Sequence, residues 1–308
     1  DLATGRRLSN NDENIGCRLA EELSFDILLG GHQHLAVPGR LYAGTHVVQT
    51  PSKATQFAVI EVDEAGRITS RLEDAGSEMD PALQALARPV EEKVQAWLEK
   101  PIARLTRPLR PKDKLDRAMN GSPIANLFNQ AQIAATGADI SCCSLANDIK
   151  GLGRAVSVRD VISTYVYPNK LVVLEITGAK LKAALERCAA YFDVRSGRVA
   201  IADEFLRPKA AHYNYDFYYG LFYAFDLRRP AGARVSSMRL KGHAIAPDEK
   251  LTLCLSNYRA AGGGGYAMYA DCPRVLETQG EISELLLDYL AERGHVEVDA
   301  RPPFIIMK

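Results

Sequence analysis

"ENIGCRLAEELSFDILLGGHQH", residues 13–34, decides how the rest of the chain is read. Over residues 14–23 the apolar side chains recur at helical spacing, and "FDILLGG" follows as a short buried strand ending in glycines. The unit is helix, strand, then a turn that sets His32 and His34 one residue apart. A loop at the C-terminal end of a strand is where open α/β sheets place their sites, and glycine lets backbone crowd a metal ion. Neutral imidazoles suit Zn, Mn or Fe, but two ligands do not complete a site.

A chain of 308 residues is long enough for two domains. Its 47 % hydrophobic and 25 % charged residues describe a globular protein, and no apolar run reaches the length of a membrane span. Lys plus Arg and Asp plus Glu both number 38, so no net field draws the molecule to a nucleic-acid polymer or an anionic bilayer. Any phosphate must be met by a local site. The six cysteines lack Cys-x-x-Cys spacing, which argues against a zinc or thioredoxin-type centre. The polar opening "DLATGRRLSNNDENIG" is an unusual first element and gives the expectation that the chain begins in the middle of something larger.

Strands are expected at "THVVQT" and in "FAVIEVDEAGRITSRLED", the latter folded at Asp-Glu-Ala-Gly, so that a β-rich domain end closes near Gly76. "DPALQALARPVEEKVQAWLEK", residues 80–100, reads as a connecting helix, kinked or in two parts at Pro89. "SPIANLFNQAQIAATG" carries Ser122 at the N-cap, Pro123 at the first helical position and Gly137 at the exit. Beyond it a strand ("ADISCCS"), a helix ("SVRDVISTY"), a strand ("KLVVLEI") and a Thr177-capped helix alternate as an α+β or α/β core would. Further strands ("GLFYAFDL", "RVSSMRL", "KLTLCLS") and an amphipathic helix closed by Gly294 complete the chain.

The stretch through His34 resembles the final motif of the calcineurin-like metallophosphoesterases, in the branch with a 5'-nucleotidase-type C-terminal domain. The resemblance implies a two-metal centre (Mn, Zn, Fe or similar) with His32 on one metal and His34 on the other. The earlier ligand turns of that family have no counterpart in residues 1–31, so this chain alone is expected to bind metal weakly and to be inactive. His46 matches no ligand of that family and is expected to be structural.

In the second half, "VYPNKLVVLEITGAKLKAALE" (166–186) and "LSNYRAAGGGGYAMY" (255–269) resemble the family's two nucleoside-binding stretches. By that resemblance Tyr167 and Tyr258 stack on the two faces of a base and Asn169 is a polar contact to it. The chemistry agrees, because each stacking ring is worth about 1–3 kcal/mol and accepts any base. Gly262, Gly263 and Gly264 would let the backbone approach a ribose or phosphate. The aromatic run from Tyr213 to Tyr219 lacks the basic groove of a single-strand platform.

Three departures set the branch. "YPN" stands for Phe-Gly-Asn, Gly264 for an Asp, and Lys150 of "NDIKG" for the Arg of a phosphate clamp. "HYNYDFYYGLFYAFDL" (212–227) also resembles the 2',3'-cyclic-nucleotide 2'-phosphodiesterase/3'-nucleotidase branch. A lysine grips a terminal phosphate as a point charge, where arginine offers a bidentate fork. The expected fold is α+β: the end of a four-layer metallophosphoesterase domain (1–76), a linker helix (77–103) and a 5'-nucleotidase-type nucleotide-binding domain (104–308). The implied activity is metal-dependent hydrolysis of a nucleotide outside the cytoplasm, with a 5'-nucleotidase or a non-catalytic nucleoside-binding module as the alternatives.

Overall fold

Residues 14–207 and 209–308 are described by the computed structural model, and they separate into two compact units that meet between Arg88 and Pro89. The first unit follows the sequence reading except for one strand over residues 37–42 that it did not name. Helix α1 (Gly16–Glu22) leads to β1 (Ile27–Gly30), and β2 (Val37–Tyr42) and β3 (Thr45–Gln49) complete a sheet in the order β1-β3-β2. The β1–β3 pair is parallel, with Ile27 opposite His46 and Gly30 opposite Gln49. Strands β4 (Gln56–Val62) and β5 (Ile68–Asp74) form the expected hairpin, whose turn is closed by Asp63 accepting the backbone N–H groups of Ala65 and Arg67. His46 is spent structurally: its Nε2 lies 2.7 Å from Ser70 Oγ, which donates to the Pro38 carbonyl.

Helix α2 (Pro81–Leu98) runs through Pro89 as one helix and buries none of its residues.

The second unit begins its pairing at β6 (Pro101–Leu105). Asp113 caps α3 (Lys114–Asn120) through the N–H groups of Leu115 and Asp116. Ser122 caps α4 (Pro123–Thr136), and Gly137 ends it in the left-handed conformation with its N–H on Ile133. After β7 (Ile140–Ser144) and β8 (Ala155–Ser157), Ser157 and Asp160 form a reciprocal capping box on α5 (Val158–Thr164). Strand β9 (Lys170–Thr177) passes straight into α6 (Gly178–Ala189). A β-carbon at Gly178 would lie 2.0 Å from the Ala246 carbonyl oxygen, so the Thr-Gly start of this helix is fixed by close packing.

The chain continues through the hairpin β10 (Phe192–Arg195) and β11 (Arg198–Ile201), then β12 (Asp216–Tyr219), β13 (Leu221–Asp226), β14 (Val235–Leu240) and β15 (His243–Ala244). It closes with β16 (Lys250–Ser256), the short α7 (Asn257–Ala260), β17 (Arg274–Glu281), α8 (Ile282–Arg293), β18 (His295–Val296) and β19 (Phe304–Met307). The central sheet is mixed, in the order β12-β7-β16-β9-β17, with only the β7–β16 pair parallel. A second sheet runs β15-β14-β13-β19, and β6 joins β18 to β8 in a third. One hydrophobic core spans the unit, with Ile124, Leu127 and Phe128 of α4 and Leu181, Ala184 and Leu185 of α6 fully buried against the strands. The α+β class expected from the sequence is the fold observed.

Candidate functional site

The register of the central sheet gathers four connections at one end. Strands β9 and β16 are antiparallel, with Leu171 opposite Ser256, so the turn before β9 (Tyr167–Asn169) lies beside the segment after β16 that carries Tyr258. Strand β12 starts at Asp216 opposite Ser144, the last residue of β7. That pairing brings Tyr213, Asn214 and the loop containing Lys150 to the same end. The Lys170 N–H donates to Asn257 Oδ1 at 3.2 Å and ties the two tyrosine-bearing segments together.

Tyr167 is half-buried and packs edge-on against buried Tyr165, with centroids 6.3 Å apart. Burial pushes its phenol up to about 12; Tyr213 and Tyr258 add to the rise, and Arg259 and Arg117 oppose it. Asn169 holds the turn: its N–H donates to the Tyr167 carbonyl, and its own carbonyl accepts the Ile282 N–H at 2.8 Å.

Tyr258 is half-buried on α7, and the glycine loop lies on it. A β-carbon at Gly263 would sit 2.5–2.7 Å from three carbons at the phenolic end of the Tyr258 ring. At Gly264 it would meet Arg259 Nη1 and Asn214 Oδ1 at 2.1 and 2.3 Å, and both Gly262 and Gly264 have positive φ (87° and 70°). Glycine at 263 and 264 is therefore required by the protein's own side chains.

Beneath the loop lies an ion pair that the sequence reading missed. Arg259 and Asp216 are 3 % and 1 % exposed, joined by Nη2 to Oδ1 at 2.8 Å. The guanidinium also donates to the Tyr213 carbonyl at 2.9 Å and the Gly263 carbonyl at 2.6 Å, and lies 4.3 Å from the Tyr266 ring centroid. Burial alone would loosen its proton, but Asp216 outweighs that and holds it more firmly than usual. Around the pair, burial raises the thiols of Cys142 and Cys188, so they stay neutral.

A second buried arginine lies by the loop after β7, at the same end of the sheet. Arg117 of α3 is 4 % exposed, and among the described residues its guanidinium makes one hydrogen bond, a long one of 3.3 Å to the Ala146 carbonyl. A guanidinium has five N–H donors, so most of its capacity is unspent. Burial lowers its proton affinity, with Tyr191, Tyr167, Asp113 and Asp148 opposing. Burial and Arg117 also hold His212, bonded to Tyr191 at 2.8 Å, below the usual imidazole value. Lys150 is exposed in the loop after β7.

His32 and His34 belong to the first unit, where both are exposed and adopt left-handed backbone, φ 59° and 58°. Left-handed non-glycine residues carry strain and gather at functional turns. Among the described residues, however, no group of three His, Cys, Asp or Glu side chains is placed to hold a metal ion. Two imidazoles are an incomplete donor set, so the residues present do not by themselves fit a catalytic metal.

Residues 101–271 match the family described as 5'-nucleotidase, C-terminal domain. The chain belongs to that family. The 5'-nucleotidase C-terminal domain accounts for all of the tyrosine end of the sheet. Two relatives and one solved structure extend the comparison. The 2',3'-cyclic-nucleotide 2'-phosphodiesterase/3'-nucleotidase of Haemophilus influenzae is 24 % identical over 356 residues of alignment, covering 94 % of this chain and 53 % of that protein. The trifunctional nucleotide phosphoesterase YfkN of Bacillus subtilis is 27 % identical over 161 residues, 47 % of this chain and 11 % of that protein. A Staphylococcus aureus protein assigned as a 5'-nucleotidase, crystallised with alpha-ketoglutarate, superposes with a TM-score of 0.82 at 34 % identity, over 100 % of this chain and 62 % of that one. The chain thus spans about half the length of the Haemophilus relative, 53 %.

Proposed function

We propose that this chain is the nucleoside-recognising part of a nucleotide phosphohydrolase, with 2',3'-cyclic and 3'-nucleotides as the substrate class. The observation that carries the reading is the convergence of Tyr167, Tyr213 and Tyr258 at one end of the central sheet, beside the unspent guanidinium of Arg117. In this reading Tyr167 and Tyr258 stack on the base, Asn169 contacts its edge, and Gly262, Gly263 and Gly264 line the ribose side. Arg117, with Lys150 at the rim, takes the phosphate.

A clamp of aromatic rings grips the base regardless of its identity, whereas one buried guanidinium and a point-charge lysine grip a phosphate modestly. A substrate held mainly by its base fits a cyclic phosphate presented to a reaction centre elsewhere. The naming of the Haemophilus relative, which covers 94 % of this chain, supports the same class. The second reading, a 5'-nucleotidase, is favoured by the Staphylococcus aureus structure at 34 % identity.

In the first unit, His32 and His34 are proposed as two ligands of a larger divalent-metal donor set, which their strained turn supports. Residues 1–76 would then be the end of the phosphoesterase domain, 77–103 the linker and 104–308 the recognition domain, working outside the cytoplasm. Among the described residues no helix is long and apolar enough to cross a membrane. The test is the rate of hydrolysis of 2',3'-cyclic AMP, 3'-AMP and 5'-AMP by the full-length protein. Preference for the first two is expected; a strong preference for 5'-AMP would move the assignment to the second reading.

A further inference from the structure

A buried ion pair is a poor stabiliser, because desolvating two charges costs about as much as their attraction returns. Its presence directly under a binding loop therefore asks for another role. The guanidinium of Arg259 bonds three acceptors on two segments: it donates to Asp216 Oδ1 and to the Tyr213 carbonyl from Nη2, and to the Gly263 carbonyl from Nη1. Its own backbone belongs to the turn of helix that carries Tyr258, and its plane lies 5.7 Å from that ring's centroid. The absence of a β-carbon at Gly264 leaves the space that Nη1 occupies.

We propose that Arg259, oriented by Asp216, is the positioning residue of the nucleoside site: one planar fork fixes Tyr213, Tyr258 and the glycine loop in a single register, so that the gap offered to the base is set before the ligand arrives. The inference rests on the nucleoside reading above and adds to it the residue that builds the box without touching the ligand. The requirement is geometric. A lysine keeps the charge but cannot hold three acceptors in fixed directions, whereas Asp216→Asn keeps an oxygen at the Oδ1 position.

The experiment is calorimetric titration of the full chain with adenosine, comparing the unmodified protein with Arg259→Lys, Arg259→Met and Asp216→Asn, each checked by thermal melting. The unmodified chain should bind saturably. Arg259→Lys and Arg259→Met should bind at least about tenfold more weakly, and Asp216→Asn, which keeps an acceptor but removes the charge that orients the guanidinium, should also bind more weakly, by a smaller factor. A purely structural pair would lower the melting temperature and leave the affinity of the folded fraction unchanged. If the Arg259 variants do not fold, Gly264→Ala decides, since it keeps the ion pair and displaces the loop from Nη1; it too should bind at least about tenfold more weakly. Unmodified affinity in a folded Arg259→Lys, or in Gly264→Ala where the Arg259 variants do not fold, overturns the positioning role and leaves the nucleoside reading intact. Failure of the unmodified folded chain to bind adenosine overturns both.

Discussion

The backbone N–H of Lys170 donates to the side-chain oxygen of Asn257 at 3.2 Å, across the paired ends of two antiparallel strands. Tyr167 lies three residues before one end of that bond and Tyr258 follows the other, so the register of the sheet brings the two tyrosine-bearing segments side by side. A site built in this way is preorganised, and the ordering cost of binding is low. Removing the acceptor with Asn257→Ala leaves the Lys170 N–H without its partner and should weaken adenosine binding about fivefold, for the loss of about 1 kcal/mol. Titration alongside melting separates this from a general loss of fold.

Gly263→Ala tests the packing of the loop. The added methyl group would lie 2.5–2.7 Å from the Tyr258 ring, and one of the two must move. Overpacking of this kind costs about 1–3 kcal/mol. The ring is only half-buried and so can shift more readily than the core, and the expected result is a loss of nucleoside affinity of about tenfold or more with a melting temperature changed by only a few degrees. Affinity unchanged from that of the parent would show that the position of Tyr258 is irrelevant to binding.

If Arg117 takes the phosphate as proposed, it separates nucleoside from nucleotide. Most of its donors are unspent, and a hydrogen bond to a charged group is worth about 1.5–3 kcal/mol. Arg117→Gln should therefore weaken binding of 3'-AMP by about ten- to a hundredfold and leave adenosine binding nearly unchanged. Equal losses for the two ligands would place Arg117 in the scaffold rather than at the phosphate.

His212 makes the second unit sensitive to acid. Burial, then Arg117 and Lys114, hold its imidazole below the ordinary value, against the weaker pull of Asp113 and Asp148. The unfolded chain then takes up a proton that the folded chain refuses. This contribution to stability is complete above the ordinary histidine value of about 6.5 and is lost progressively as pH falls from there toward the folded value. The loss of melting temperature between about pH 7.5 and pH 5.5 should be smaller in His212→Gln than in the unmodified chain. Superimposable pH profiles would contradict the assignment.

Much of the scaffold was legible because its punctuation is local. Ser122, Pro123 and Gly137 bracket α4, Thr177 caps α6 and the Ser157–Asp160 box opens α5, as short-range hydrogen bonding dictates. Strands β6, β17 and β19 were among those not foreseen, since β17 shows mostly exposed side chains and all three exist through partners distant in the chain. Tyr167 and Tyr258 were singled out through resemblance, and the register of β9 with β16 explains why residues so far apart in the chain lie at one end of the sheet. Arg117, Asp216 and Arg259 were missed because charge normally marks solvent-facing positions. A usable signal existed: Arg259 sits between Tyr258 and a run of Ala and Gly, and Asp216 within a run of aromatic residues, neither of which offers a solvated face.

The central claim is that the second unit grips a nucleoside between two tyrosines. Adenosine titrated calorimetrically into the full chain, with Tyr167→Ala and Tyr258→Ala measured under the same conditions, tests it most directly. Saturable binding that each substitution weakens by about 1–3 kcal/mol is the predicted result. Folded variants that bind adenosine as tightly as the parent would contradict it.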